Sequence, residues 1–257
     1  MNNGLNFINK GTGLPFVYQH GLGGDLSQIN LFTALQNIQL IGMDSSGHGL
    51  SQFYTDKQPS FNRYADDLIE LLDKLGVEKA VFGGVSMGSA VALNIAVRYP
   101  ERVKGLVLVR PAWLATAYPA NLNILLEVVQ ALERNDGMAD FELTPSFKNL
   151  KSISEKAAAS TLNQFTRIQV EHSPIILERM IGDKPIDSLN QLSHIDIPTL
   201  VIGTQEDPLH PFNMAEVISN YIPNGQLEEI ISKYVDADKH HQRLLELVKA
   251  FFKKISL

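Results

Sequence analysis

Residues 80–90, Ala80-Val81-Phe82-Gly83-Gly84-Val85-Ser86-Met87-Gly88-Ser89-Ala90, constrain this chain more than any other stretch. A short apolar run enters Gly-x-Ser-x-Gly, and an alanine-rich stretch with helical spacing leaves it. The pattern predicts strand, sharp turn, helix, with Ser86 on the turn. A serine there adopts a strained backbone conformation, and its neighbours two positions away must be small; Gly84 and Gly88 fill those places. The helix points its unpaired N–H groups at the serine oxygen, so a weak nucleophile gains exposure and a positive field. The same residues also fit an ordinary glycine-rich turn. The strand-turn-helix context is what separates the two.

The rest of the chain repeats that rhythm. Strands are predicted over Leu5–Asn9, Leu14–Gln19, Gln39–Met43, Lys79–Val85, Val103–Val109, 198–203 and Gln226–Ile231. Helices are predicted over Ser27–Leu35 with Ser27 as N-cap, Ser60–Leu75 stopped by Gly76, Met87–Arg98, Pro211–Tyr221 and Lys239–Ile255. In the second of these Tyr64, Leu68, Leu71, Leu72 and Leu75 share one face. Continuous apolar strands alternating with amphipathic helices imply an α/β fold: a mostly parallel central sheet flanked by helices. The two N-terminal strands, with no helix between them, are expected to form an antiparallel edge. Strand signals vanish from Trp113 to Leu192, where helical patterns recur around Ile124–Leu132, Ser154–Asn163 and Ile175–Met180, punctuated by Pro119, Pro145, Pro174 and Pro185. This divides the chain into a core, residues 1–112 and 193–257, and a helical insertion, residues 113–192.

Composition removes several function classes. A chain of 257 residues with a net charge of -6 does not suit a nucleic-acid surface. It has no cysteine, which excludes disulfides, thiolate metal sites and a cysteine nucleophile. There is no HExxH motif and no cluster with metal-ligand spacing, so neither metal nor cofactor is expected. The polar stretch Met1–Lys10 lacks the pattern of a signal peptide, and no apolar run is long enough to span a membrane. A cytoplasmic protein acting on a small molecule is expected.

A serine nucleophile needs a base, and the base needs an orienting group. In open parallel sheets such residues sit at the carboxyl ends of strands. Asp207, in the loop after the 198–203 strand, is the candidate to hold a histidine in its working tautomer, with Glu206 its neighbour; Asp207 also fits a loop or helix-capping role. His240 and His241, after the last strand, are the candidate bases, and His240 is preferred because His241 shares a helical face with Leu244, Leu245 and Val248. His210 and His48 also follow strands, in loops where polar residues are routine. The His20-Gly21-Leu22-Gly23-Gly24 turn offers backbone N–H groups to a developing oxyanion, with those of Leu22 and Met87 the expected pair. Asp44–Ser51 reads as structural support.

The order serine, aspartate, histidine, each after a successive strand, resembles the α/β-hydrolase fold superfamily along essentially the whole chain. HGLGG at 20–24, DSSGHGLS at 44–51, GVSMG at 84–88, YPERVKGLVLV at 99–109 and GTQEDPLHP at 203–211 carry the resemblance. It implies Ser86 as nucleophile, Asp207 as acid, and Leu22 and Met87 as oxyanion donors. The 113–192 segment then resembles the family's variable helical cap, with Trp113 and Met87 lining the substrate pocket. Two positions depart from the family pattern: Ser46 stands where an arginine is usual, and the candidate histidine follows Lys239 where a glycine is usual. The implied activity is a cofactor-independent serine hydrolase acting on a small to medium carboxylic ester or lactone through an acyl-enzyme. The same triad also serves carbon–carbon bond hydrolysis of ring-cleavage products and perhydrolysis, and the fold also hosts non-catalytic ligand-binding members.

Overall fold

The computed structural model describes residues 4–134 and 137–255; the first three residues of the polar Met1–Lys10 stretch lie outside the described residues. Seven strands form one sheet: β1 (Phe7–Lys10), β2 (Leu14–Gln19), β3 (Ile38–Met43), β4 (Ala80–Val85), β5 (Val103–Val109), β6 (Thr199–Gly203) and β7 (Gly225–Glu229). Their order is β1-β3-β2-β4-β5-β6-β7, and every pairing except β1 with β3 is parallel. The expected antiparallel edge exists, but its partner differs. β1 pairs with β3, and β2 lies one strand further in. The sequence places β1 beside β2 along the chain, yet the buried β2 sits between two parallel neighbours, as its apolar run allows.

Period-two alternation sorts the strand residues onto two cores. Val17, Phe82, Leu106, Leu108 and Val201 face one side, where α1 (Phe61–Leu75) and α2 (Met87–Arg98) cover the sheet. Phe16, Val81, Val107, Leu200 and Ile202 face the other, where α9 (Ala237–Ile255) presents Leu244, Leu247, Val248, Phe251 and Phe252. Ser60 caps α1 by accepting the Arg63 N–H, and Gly76 ends the helix in the left-handed region at φ 68°. The 26–34 segment is a 3₁₀ helix, and its cap is Asp25, which accepts the Ser27 N–H.

Between β5 and β6 the described residues hold helices and no strand: α3 (Asn123–Leu132), α4 (Gly137–Leu143), α5 (Pro145–Ile153), α6 (Glu155–Leu162) and α7 (Ser173–Ile181). Pro145 and Pro174, read from sequence as interruptions, stand in the first turns of α5 and α7, where a missing N–H costs nothing. After β6, α8 (Phe212–Tyr221) precedes β7.

Register decides what the strands deliver to one edge. Gln19 lies opposite Gly84, Val85 opposite Val109, Val109 opposite Ile202, and Gly203 opposite Glu229. The carboxyl ends of β2, β4, β5, β6 and β7 are therefore level. The residues that follow them, beginning at His20, Ser86, Arg110, Thr204 and Ile230, share the same rim.

Candidate active site

Ser86 is the N-cap of α2, at φ 56° and ψ -115°. That positive φ is unusual for a residue with a Cβ. The turn persists because the surrounding packing dictates it: the Ser86 N–H donates to Val109 O at 3.0 Å, and the Ser89 hydroxyl donates to Ser86 O at 2.7 Å. A Cβ at Gly84 would stand 2.7 Å from Gly88 Cα, and one at Gly88 would stand 2.6 Å from the Gln19 carbonyl carbon. Both glycines are thus required by close approach, as the sequence pattern predicts.

The His20–Gly24 turn beside Ser86 is held by its own histidine. His20 Nδ1 lies 2.8 Å from Gly21 O, a pure acceptor, so Nδ1 carries the hydrogen. His20 Nε2 then accepts the Ser45 N–H at 3.0 Å, and burial keeps the ring neutral by lowering its pKa. The Gly21 N–H donates to Gln28 Oε1 at 3.0 Å. Asp44, at the end of β3, accepts from Leu26 N–H, Leu50 N–H and the Asn6 amide at 2.7, 3.0 and 2.8 Å. The 44–51 turn thus ties neighbouring loops together, as expected of a support.

The acid and the base do not meet in the expected way. Asp207 Oδ2 accepts from Arg110 Nε at 2.7 Å and from Nη2 at 2.5 Å, while Asp207 Oδ1 faces His210 Nδ1 at 2.9 Å. The carboxylate accepts, so the His210 proton sits on Nδ1; Arg110 Nη2, 3.1 Å from that nitrogen, directs its hydrogen to Oδ2. Burial would raise the Asp207 pKa, but His210 and Arg110 outweigh it and hold the carboxyl well below the usual range. His240, in the first turn of α9, places Nδ1 2.8 Å from Ile231 O. The expectation that Asp207 orients His240 is therefore corrected: His240 Nδ1 is directed at a backbone carbonyl, and the contacts of Asp207 go to Arg110 and His210. The tautomer that results is still the one a base needs, with the proton on Nδ1 and a lone pair on Nε2. Burial, reinforced by Arg110 and Lys233, lowers the His240 pKa to about 4, so the ring is neutral at pH 7.

These residues border one cavity of about 340 Å³, which Ser86, Leu22, Trp113, His210, His240 and His241 all line. Trp113 is 1% exposed and packs edge-on against Phe61 at 5.4 Å between ring centroids, and its indole N–H has no acceptor. The Met87 side chain does not line the cavity. It is buried in the core beneath α2, and only its backbone remains a candidate at the site. Glu206 adopts φ 56°, is exposed, and does not line the cavity.

Several polar wall residues escape sequence reasoning, among them Arg110, Lys233 and Gln164. Arg110 follows the apolar β5 directly and takes φ 48°; a charge at that strand end was the available signal. Lys233 lies in the loop after β7, where a lone lysine carries no local signature of a cavity wall. Gln164, in the segment between β5 and β6, donates to Leu22 O at 3.4 Å, a long-range contact with no local signature. Among the described residues no group of carboxylates and histidines is placed to hold a metal, and no helix is long and apolar enough to cross a membrane.

Comparison with known proteins agrees with this architecture. The profile of the alpha/beta hydrolase fold family matches residues 15–234, ending in the loop after β7 and ahead of His240. A 2-hydroxymuconate semialdehyde hydrolase of Pseudomonas putida is 27% identical over 241 residues, covering 86% of this chain and 80% of that protein. The 3-oxoadipate enol-lactonase 1 of Acinetobacter baylyi is 22% identical over 269 residues, covering 96% of this chain and 92% of the relative. Among solved structures, a thermophilic esterase from Thermogutta terrifontis superposes with a TM-score of 0.77 at 25% identity, covering 98% of this chain and 93% of that one. The chain belongs to the alpha/beta hydrolase fold family.

Proposed function

We propose that this hydrolase cleaves a small to medium carboxylic ester or lactone through an acyl-enzyme on Ser86. The observation that carries the reading is the Ser86 turn: a serine at φ 56° on a helix N-terminus, open to a cavity shared with a neutral histidine. In the first step Ser86 Oγ attacks the carbonyl carbon and His240 Nε2 takes its proton. The oxyanion receives the Leu22 and Met87 backbone N–H groups. Collapse expels the alcohol, which takes the proton from His240. Water then attacks the acyl-enzyme with the same histidine as base, and the acid leaves. The Ile231 carbonyl supplies the orientation that a carboxylate supplies elsewhere, and Trp113 forms part of the wall against which the acyl group packs. Asp207 holds Arg110 and His210 in place.

A second reading has one observation in its favour. His210 also lines the cavity, and its Nδ1 faces a carboxylate oxygen at 2.9 Å. Turnover of 4-nitrophenyl acetate by two variants separates the readings. With His240 as base, His240→Ala loses about 10²–10⁴-fold in kcat and His210→Ala stays within about tenfold. The reverse pattern assigns the proton transfer to His210.

A further inference from the structure

The chain is acidic overall, with a net charge of -6, yet the cavity at Ser86 is not. Arg110, Lys233, His210, His240 and His241 line it, and among the described residues no aspartate or glutamate does. Arg110 is already matched, since Asp207 occupies both its Nε and its Nη2. Lys233 is not matched. Among the described residues it forms no ion pair, and the carboxylate whose charge it senses, Asp207, is paired with Arg110 and His210. Its ammonium lies 5.0 Å from the Tyr234 ring centroid, a weak interaction that leaves its hydrogens available. A half-buried cation without a counter-ion is costly unless something supplies one. The same wall carries a second unmet donor, the buried Trp113 indole N–H.

We propose that the substrate carries a free carboxylate besides its scissile ester or lactone, and that the Lys233 ammonium binds that carboxylate. This rests on the Ser86 reading above and adds the substrate class to it. One unmatched cation suits one negative charge, which favours a carboxylate over a phosphate dianion. A cavity of about 340 Å³ is small, and a sphere of that volume is about 9 Å across, which suits a short-chain half-ester. Burial and Arg110 lower the Lys233 pKa to about 8, against the opposing pull of Asp207. The groups whose charges it senses are Arg110 after β5, Asp207 and His210 after β6, and His240 on α9. The ammonium is therefore mostly charged at pH 7 and discharges above pH 8.

The test is binding, read without chemistry. Monomethyl glutarate and methyl pentanoate are titrated calorimetrically into the Ser86→Ala variant, then into Ser86→Ala with Lys233→Met. The expected result is that the half-ester binds about 10–100-fold tighter at pH 7. Lys233→Met should remove the preference, and Lys233→Arg should retain it. In the Ser86→Ala protein with Lys233 intact, the preference should fade as pH rises above 8, a readout that survives if Lys233→Met fails to fold. Equal binding of the two esters, a preference that outlives Lys233→Met, or one that is flat to pH 10 overturns the proposal. Loss of neutral-ester turnover in Lys233→Met with half-ester affinity unchanged would make Lys233 the proton acceptor instead, and would also overturn it. Failure of the Ser86 reading shows separately, as absence of ester turnover in the unmutated protein.

Discussion

Asp207→Ala isolates the buried pair that replaces the expected acid–base contact. The side chains of Arg110 and Asp207 are 4% and 0% exposed, so water does little to screen them. Removing the carboxylate leaves the guanidinium without a counter-ion and strips His210 of the acceptor 2.9 Å away. Breaking one side of such a pair costs about 3–5 kcal/mol. For a chain of 257 residues each kcal/mol corresponds to about 2–4 °C, so Tm should fall by about 6–20 °C. Asp207→Asn keeps an acceptor and should fall by less. The same variants carry a second readout. Because Asp207 does not reach His240, Asp207→Asn assayed below its melting range should keep kcat on a small ester within about tenfold. A carboxylate that oriented the working histidine would cost about four orders of magnitude. Thermal melts followed by circular dichroism, paired with initial rates, decide the matter. A Tm within 2 °C of the unmutated protein, or a loss of about 10⁴-fold in kcat by folded Asp207→Asn, refutes the reasoning.

Two further outcomes follow from the same geometry. Gly88→Ala drives a methyl group to 2.6 Å from the Gln19 carbonyl carbon, so it should lower stability by about 1–3 kcal/mol and distort the Ser86 turn, with soluble yield and Tm as readouts. Stability should also fall as pH drops below about 6.5, because the unfolded chain binds protons there that His20, His210 and His240 refuse in the fold until lower pH. For His240 that window extends from the ordinary histidine value down to about 4, and urea midpoints measured at pH 7, 6 and 5 should decline in that order.

What the sequence disclosed was whatever local chemistry sets. The continuous apolar runs of β2, β4 and β5, the apolar face of α1 and the Gly84-x-Ser86-x-Gly88 turn were all legible because each depends on neighbours a few residues away. The partner of β1 was not, because pairing with β3 is set by register across the sheet and not by chain proximity. α4 and α5 were missed because their stretches are short and Pro145 reads as an interruption until its place in the first turn is seen. At the site, the strand-turn-helix geometry around Ser86 was legible from local backbone constraints. The environment of His240 was not, since the acceptor for Nδ1 is the Ile231 carbonyl, and a backbone oxygen leaves no mark in the residue pattern. The occupation of Asp207 by Arg110, 97 positions earlier in the chain, was equally hidden.

The reading of this site stands or falls on whether Ser86 is an activated nucleophile. Intact-mass analysis after exposure to a fluorophosphonate tests it directly, with Ser86→Ala as the control. One adduct is expected on the unmutated protein and none on the variant. An unmodified but folded wild type, or an adduct that persists in Ser86→Ala, would contradict it.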